Sequence, residues 1–148
     1  MPEKSTTPDQ AEFARRQIEA VNRRDMDALM SVCPPDGVYD TSPSGLGVFE
    51  GPAAIRAFLQ EWWDAFEDLR FELEEAVDLG SGVTFSVVRQ DARPVGSRSY
   101  VRKREAYVVE WVGGMVARLT VYPDIDEGRA AAERLAASRG SKMSQERS

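Results

Sequence analysis

The sequence predicts an α+β protein, and three observations carry that expectation. Apolar residues recur at helical spacing through the first part of the chain and change to alternation after residue 68. Turn residues then cut the alternating part into four long strands joined by hairpins. A last helical stretch follows. Helices and strands segregated along the chain fit α+β and not a doubly wound parallel sheet. A curved antiparallel sheet wrapped around N-terminal helices, with a C-terminal helix, leaves a concave space between the layers.

The first helix begins near Pro8, with Thr7 or Asp9 able to cap it, because a side-chain oxygen accepts the free N–H groups of the first turn. Phe13, Ala14, Gln17, Ile18 and Val21 share one face, and Gln17 is the single polar member of that stripe. Asn22-Arg23-Arg24-Asp25 breaks the helix, and Asp25 can cap a short second one carrying Met26, Leu29 and Met30 inward. Cys33-Pro34-Pro35-Asp36-Gly37 is a turn signal. A short strand, Val38-Tyr39-Asp40, follows, then a loop of small residues from Thr41 to Gly47 and a second short strand, Val48-Phe49-Glu50. Gly51-Pro52 opens a third helix, since proline's missing N–H costs nothing at the first helical position. Its stripe is Ile55, Phe58, Leu59, Trp62 and Phe66.

Leu69, Phe71 and Leu73 begin the alternating region, which slips near Glu75-Ala76 and resumes at Val77 and Leu79. Gly80-Ser81-Gly82 turns the chain into a more buried strand, Val83 to Gln90. Arg93-Pro94-Val95-Gly96 leads to a long strand from Ser97 to Trp111, and Gly113-Gly114 makes a tight hairpin to the last strand, Met115 to Tyr122. Asp126 can cap the final helix, with Gly140 as its stop. One domain over residues 7–139, with flexible tails at 1–6 and 140–148, accounts for the chain.

Composition narrows the function. The 148 residues suit one domain, and 42% hydrophobic residues can bury one core. With 30% charged residues and no apolar run of about 18–20, no membrane span is expected. A net charge of −6 argues against a nucleic-acid partner. The polar start does not read as a secretory signal, and the single Cys33 cannot form an internal disulfide, so a cytoplasmic location is expected. The chain has no histidine, which removes the commonest general base and the commonest transition-metal ligand. No metal and no cofactor are therefore expected. Acid–base work would fall to Asp, Glu, Lys, Tyr or water. Glu72, Glu74 and Glu75 read as the solvated edge of a sheet, and Cys33, without a base, as an inert thiol.

Three stretches resemble the SnoaL-like, nuclear-transport-factor-2-like superfamily over roughly residues 10–137. They are Phe13 through Asp25 with the following Met26-Asp27-Ala28-Leu29, Gly47 through Leu59, and Gly113 through Arg118 followed by Tyr122 and Asp124. The resemblance implies a cone-like α+β barrel, a pocket and usually a homodimer. It does not imply one function, because this fold hosts isomerases, cyclases, dehydratases, epoxide hydrolases and plain binding domains.

In the related ketosteroid isomerases the catalytic base occupies a place similar to Asp40. A carboxylate desolvated at a pocket mouth would have a raised pKa; alternatively Asp40 caps the turn Thr41-Ser42-Pro43. The family's helix tyrosine corresponds to Gln17 and its second acid falls near Ala106. Cyclases and dehydratases of this fold lean on the absent histidine, and the epoxide-hydrolase acid on the last strand corresponds to Val121. Arg104 shares a strand face with Tyr100, Arg102, Ala106, Val108 and Glu110. If that face lines the cone, Arg104 could hold a carboxylate or enolate; otherwise it pairs with Glu72 or Glu74. The opposite face, with Val101, Tyr107, Val109 and Trp111, is then an outer apolar patch pointing to a homodimer. Tyr39, Phe58 and Trp62 are candidates to grip a flat, small apolar molecule. Two readings follow: proton transfer on an apolar carbonyl compound with Asp40 as base, helped by Gln17 or Arg104, or a non-catalytic ligand-binding or dimerisation module. An enzyme would be of isomerase, cyclase or hydrolase type.

Overall fold

The structure is a computed structural model that describes residues 10–147. The leader and the candidate caps Thr7 and Asp9 lie outside the described residues. Helix α1 (Gln10–Arg23) buries Ile18 and Val21 of the stripe that the sequence spacing marks, and also Ala20, which lies outside it. It ends where Arg24 adopts the left-handed conformation at φ 56°. The Arg24 guanidinium then donates to the carbonyls of Trp63 and Phe66 at 3.1 and 3.2 Å, tying this corner to the end of the third helix. Asp25 caps α2 (Met26–Met30), its carboxylate accepting from the Ala28 N–H.

Strands β1 (Val38–Asp40) and β2 (Val48–Glu50) flank a 3₁₀ turn at Ser42–Ser44, and α3 (Pro52–Asp64) follows. Four long strands come next: β3 (Phe66–Gly80), β4 (Val83–Pro94), β5 (Val101–Val112) and β6 (Met115–Tyr122). The slip anticipated in β3 is a register shift between Leu73 and Glu75. Helix α4 (Ile125–Arg147) closes the order.

The six strands form one curved sheet in the order β2-β1-β6-β5-β4-β3. β1 runs parallel to β6, and the other neighbours are antiparallel. The sheet has two free edges, β2 and β3, so it is an open cone and not the closed barrel that the resemblance implies. At the β3 edge Asn22 of α1 takes the place of a missing strand. Its side-chain amide donates to the Phe71 carbonyl at 2.9 Å and accepts from the Phe71 N–H at 2.8 Å. Asn22→Ala orphans both groups and is expected to lower the unfolding free energy by about 1–3 kcal/mol in urea titrations. An unchanged midpoint would mean that water replaces the amide without loss.

Both faces of the sheet are covered. On the concave side Leu69, Phe71, Val88 and Ala92 pack with residues of α1, α2 and α3, among them Ile18, Met26, Leu59 and Trp63. On the convex side Val83, Phe85, Val87, Ala106 and Val108 pack under Ala132 of α4. This reverses the face assignment read from the sequence. Tyr107, Val109 and Trp111 point inward toward the helices, and Ala106 and Val108 point outward under α4. Val101 alone of the four remains exposed. The apolar patch that argued for a homodimer is therefore the inside of the molecule.

α4 is seated by two features. The Asp124 carboxylate, rather than that of Asp126, caps it by accepting from the Glu127 N–H at 3.0 Å. Gly128 lets it approach closely, because a Cβ there would stand 2.8 Å from the Ala106 Cβ and 3.1 Å from the Tyr122 Cβ. The helix continues past Gly140, the expected stop. Gly140 instead gives room to the β3–β4 turn, where a Cβ would meet the Ser81 hydroxyl at 3.3 Å. Among the described residues no helix is long and apolar enough to cross a membrane.

Candidate functional site

Between the concave face and the N-terminal helices lies a cavity of about 130 Å³. α1 contributes Gln17, Ile18 and Val21 to it, and α3 contributes Leu59, Trp62 and Trp63. The sheet contributes Tyr39, Phe71, Ser86, Tyr107, Val109 and Trp111. All three tryptophans of the chain line this one space. Among the described residues, none that lines it carries a carboxylate, ammonium or guanidinium group. The polar atoms offered are the Gln17 amide, the hydroxyls of Ser86, Tyr39 and Tyr107, the Cys33 thiol and the indoles. Among the described residues no three metal-ligating side chains come together.

The two tyrosines sit on one face by strand register. Tyr39 lies opposite Leu119 of β6, Leu119 lies opposite Val109 of β5, and Tyr107 is two residues from Val109 on that same face. Burial pushes the Tyr39 phenol far above its ordinary range, and the negative charge of Glu105 pushes it further. Burial, then Tyr39 and Glu105, raise Tyr107 likewise. Both hydroxyls stay protonated and can donate. Burial and the charge of Asp36 raise the Cys33 thiol too, so it is no thiolate nucleophile. The Trp111 indole N–H is satisfied by the Thr84 hydroxyl at 2.9 Å. The Trp63 indole N–H is buried with no acceptor among the described residues.

Of the residues singled out from the sequence, Gln17, Tyr39 and Trp62 come together at this cavity. Phe58 does not line it. Its ring stacks on Phe49 at 4.2 Å and leans on Tyr39 at 5.8 Å, so it supports Tyr39 from behind. Arg104 is outside as well: it points away from the cavity and its Nε donates to Glu74 at 2.7 Å, with more than half of the side chain in solvent. Ser86, Trp63, Tyr107 and Trp111 were missed as lining residues. A serine inside the apolar run Val83–Val88 was the available signal for Ser86. The other three needed the correct face.

Asp40 is the main correction. Successive strand residues point to opposite faces, so with Tyr39 turned inward Asp40 turns out. One carboxylate oxygen accepts from the Ser42 N–H at 2.9 Å, capping its own turn, and the other accepts from Arg118. Burial alone would raise its pKa, but the hydrogen bonds from Ser42 and Arg118, with the guanidinium charge, outweigh it and hold the carboxyl below its ordinary value. The raised pKa expected of a base at a pocket mouth is not found. A folded-state pKa below the unfolded value means that Asp40 contributes stability at neutral pH, and that this contribution disappears as pH falls below about 4. Asp40→Asn keeps the turn acceptor and loses the ion pair. It is expected to destabilise by about 1 kcal/mol at pH 7 and by progressively less as pH falls below about 4. A deficit that persists in acid would assign the loss to shape rather than charge.

The SnoaL-like domain family matches residues 14–119. Similar solved structures include an NTF2-like protein of unknown function from Burkholderia pseudomallei, at 21% identity and TM-score 0.67, over 78% of this chain and 91% of that one. A hypothetical protein from Catenulispora acidiphila with a ketosteroid isomerase-like fold, in complex with trimethylamine, matches at 14% identity and TM-score 0.69, over 82% and 92%. TerC co-crystallised with polyporic acid matches at 16% and TM-score 0.65, over 84% and 96%. At such identities these structures share the fold. No curated protein matches the chain in sequence. The family match spans the helices that roof the cavity and the strands that floor it, and the chain belongs to the SnoaL-like domain family.

Proposed function

We propose that this protein binds one small, largely apolar molecule in its cavity and holds it without a general base of its own. The observation that carries the reading is the lining: apolar and aromatic walls, a few hydrogen-bonding groups and no charged side chain. Sites of that composition recognise ligands by shape and a few placed polar contacts. The volume sets the scale. A dry cavity of about 150 Å³ accepts benzene, so about 130 Å³ suits a ligand of one ring.

The rival reading, proton transfer by Asp40, needs a carboxylate facing the ligand, and Asp40 is engaged on the other side of the sheet with Ser42 and Arg118. Arg104 is equally remote. Gln17 remains at the cavity but is a hydrogen-bonding amide and no base. The binding reading is therefore favoured over an isomerase-type one.

Single-ring aromatic probes titrated against intrinsic fluorescence test the reading, because every tryptophan borders the cavity. Saturable changes with Kd of about 10 μM to 1 mM are expected. No saturable change and no thermal shift with any probe would sink it. Asp40→Asn should leave affinity and any proton exchange on enolisable ketones unchanged. A fall in exchange of about a hundredfold or more would restore Asp40 as a base.

A further inference from the structure

We infer that Tyr39 and Tyr107 form a two-hydroxyl clamp selecting an uncharged ligand with an acceptor oxygen, such as a ketone, and rejecting the corresponding carboxylate. The inference rests on the binding reading above and names the ligand class.

The two side chains arise from β1 and β5, which flank β6, and both line the cavity from the same face of the sheet. Among the described residues neither hydroxyl has a hydrogen-bond partner. A phenol hydroxyl that faces a cavity without a protein acceptor is left to donate to whatever occupies that cavity. A carbonyl oxygen has two lone-pair directions and can accept from two donors at once. Ser86, which pairs directly with Tyr107 across the β4–β5 ladder, adds a third hydroxyl on the same face.

Electrostatics supply the selectivity. An anionic ligand must shed far more hydration than a ketone, and a few neutral donors repay that loss less fully than a cation does. Among the described residues no cation lines this cavity. The charge that acts on both tyrosines is negative: Glu105 raises the pKa of each, and its carboxylate is paired with Lys103 at 3.4 Å. A neutral ketone gives up only its hydrogen bonds to water and regains them from the tyrosines.

Acetophenone, benzoate and isopropylbenzene have similar size and test the clamp directly. In the unmodified protein, acetophenone should bind at least about tenfold more tightly than benzoate. Tyr39→Phe and Tyr107→Phe should each weaken acetophenone about two- to tenfold. Isopropylbenzene, which has no oxygen, should be unaffected by either change, and Tyr100→Phe at the surface should alter none of the three. The carbonyl stretch of bound acetophenone should shift to lower frequency and shift back in the two variants, a signature that a packing role would not move. Benzoate binding as tightly as acetophenone overturns the inference, and that comparison needs no variant to fold. So does an unchanged acetophenone-to-isopropylbenzene ratio in both folded variants. If isopropylbenzene also fails to bind, the cavity reading itself fails, which is a distinct result.

Discussion

Ser86→Leu is expected to weaken binding of single-ring ligands by about a hundredfold or more while the protein remains folded, because the new side chain takes the ligand's place and its contacts. Ser86 is 5% exposed, lies at the centre of β4 and lines the cavity. Its hydroxyl holds no partner among the described residues, so its loss orphans nothing. The leucine would project into a space of about 130 Å³ between the sheet and the helical roof. Filling a void adds contacts, and any overpacking costs about 1–3 kcal/mol, small beside the loss of affinity. Fluorescence titration with the probe that binds the unmodified protein, alongside a urea melt, measures both effects. Unchanged affinity in folded Ser86→Leu would place the ligand elsewhere.

Phe85→Ala, one residue away, should do the opposite. It should lower the unfolding free energy by about 3–5 kcal/mol, a large share of the roughly 5–15 kcal/mol that a domain has. Phe85 is 1% exposed and packs on the convex face with Val83, Val87 and Ala132. The Arg129 guanidinium of α4 lies 4.6 Å from its ring centre, and Arg129 is itself held by both oxygens of Glu75. Truncation opens a void under α4 and removes that cation–π contact. Because Phe85 points away from the cavity, ligand affinity of the molecules still folded at low temperature should be unchanged. A loss under 1 kcal/mol would mean that α4 does not dock firmly on this face.

The two variants together test which side of the sheet does what, and that is also where sequence reasoning failed. Period-2 alternation separates inside from outside only when one face is wet. In β4 the positions Val83 to Val88 are all buried, three under α4 and three toward the N-terminal helices. In β5 Ala106 and Val108 are buried on one side, and Val109 and Trp111 on the other. Two apolar parities look alike in one dimension, so Tyr107 and Trp111 could be assigned to an outer patch. Asp40 and Tyr39 could likewise both be offered as pocket residues, although neighbours on one strand cannot face the same way. Local chemistry was more legible. The Asp40 turn cap, one of the two readings weighed, needs only near neighbours, and the Arg104–Glu74 pair, the counterpart weighed for Arg104, needs only two long side chains meeting over β4.

The sequence by itself determined the order of elements, the α1 stripe that carries Gln17, the Asp25 cap, the slip in β3 and the Gly113-Gly114 hairpin. Each is written in spacing or turn chemistry within a few residues. It also excluded histidine chemistry by composition alone. Only the tertiary structure decided that β1 pairs in parallel with β6, that Arg118 reaches Asp40 across 78 positions of chain, and that α4 covers the convex face. Those contacts join segments far apart in the chain, and they set which side of each strand is inside. The cavity with Tyr39, Ser86 and Tyr107 on its sheet side follows from that choice, since a strand's alternation marks two faces and only what packs on each makes one of them a binding site.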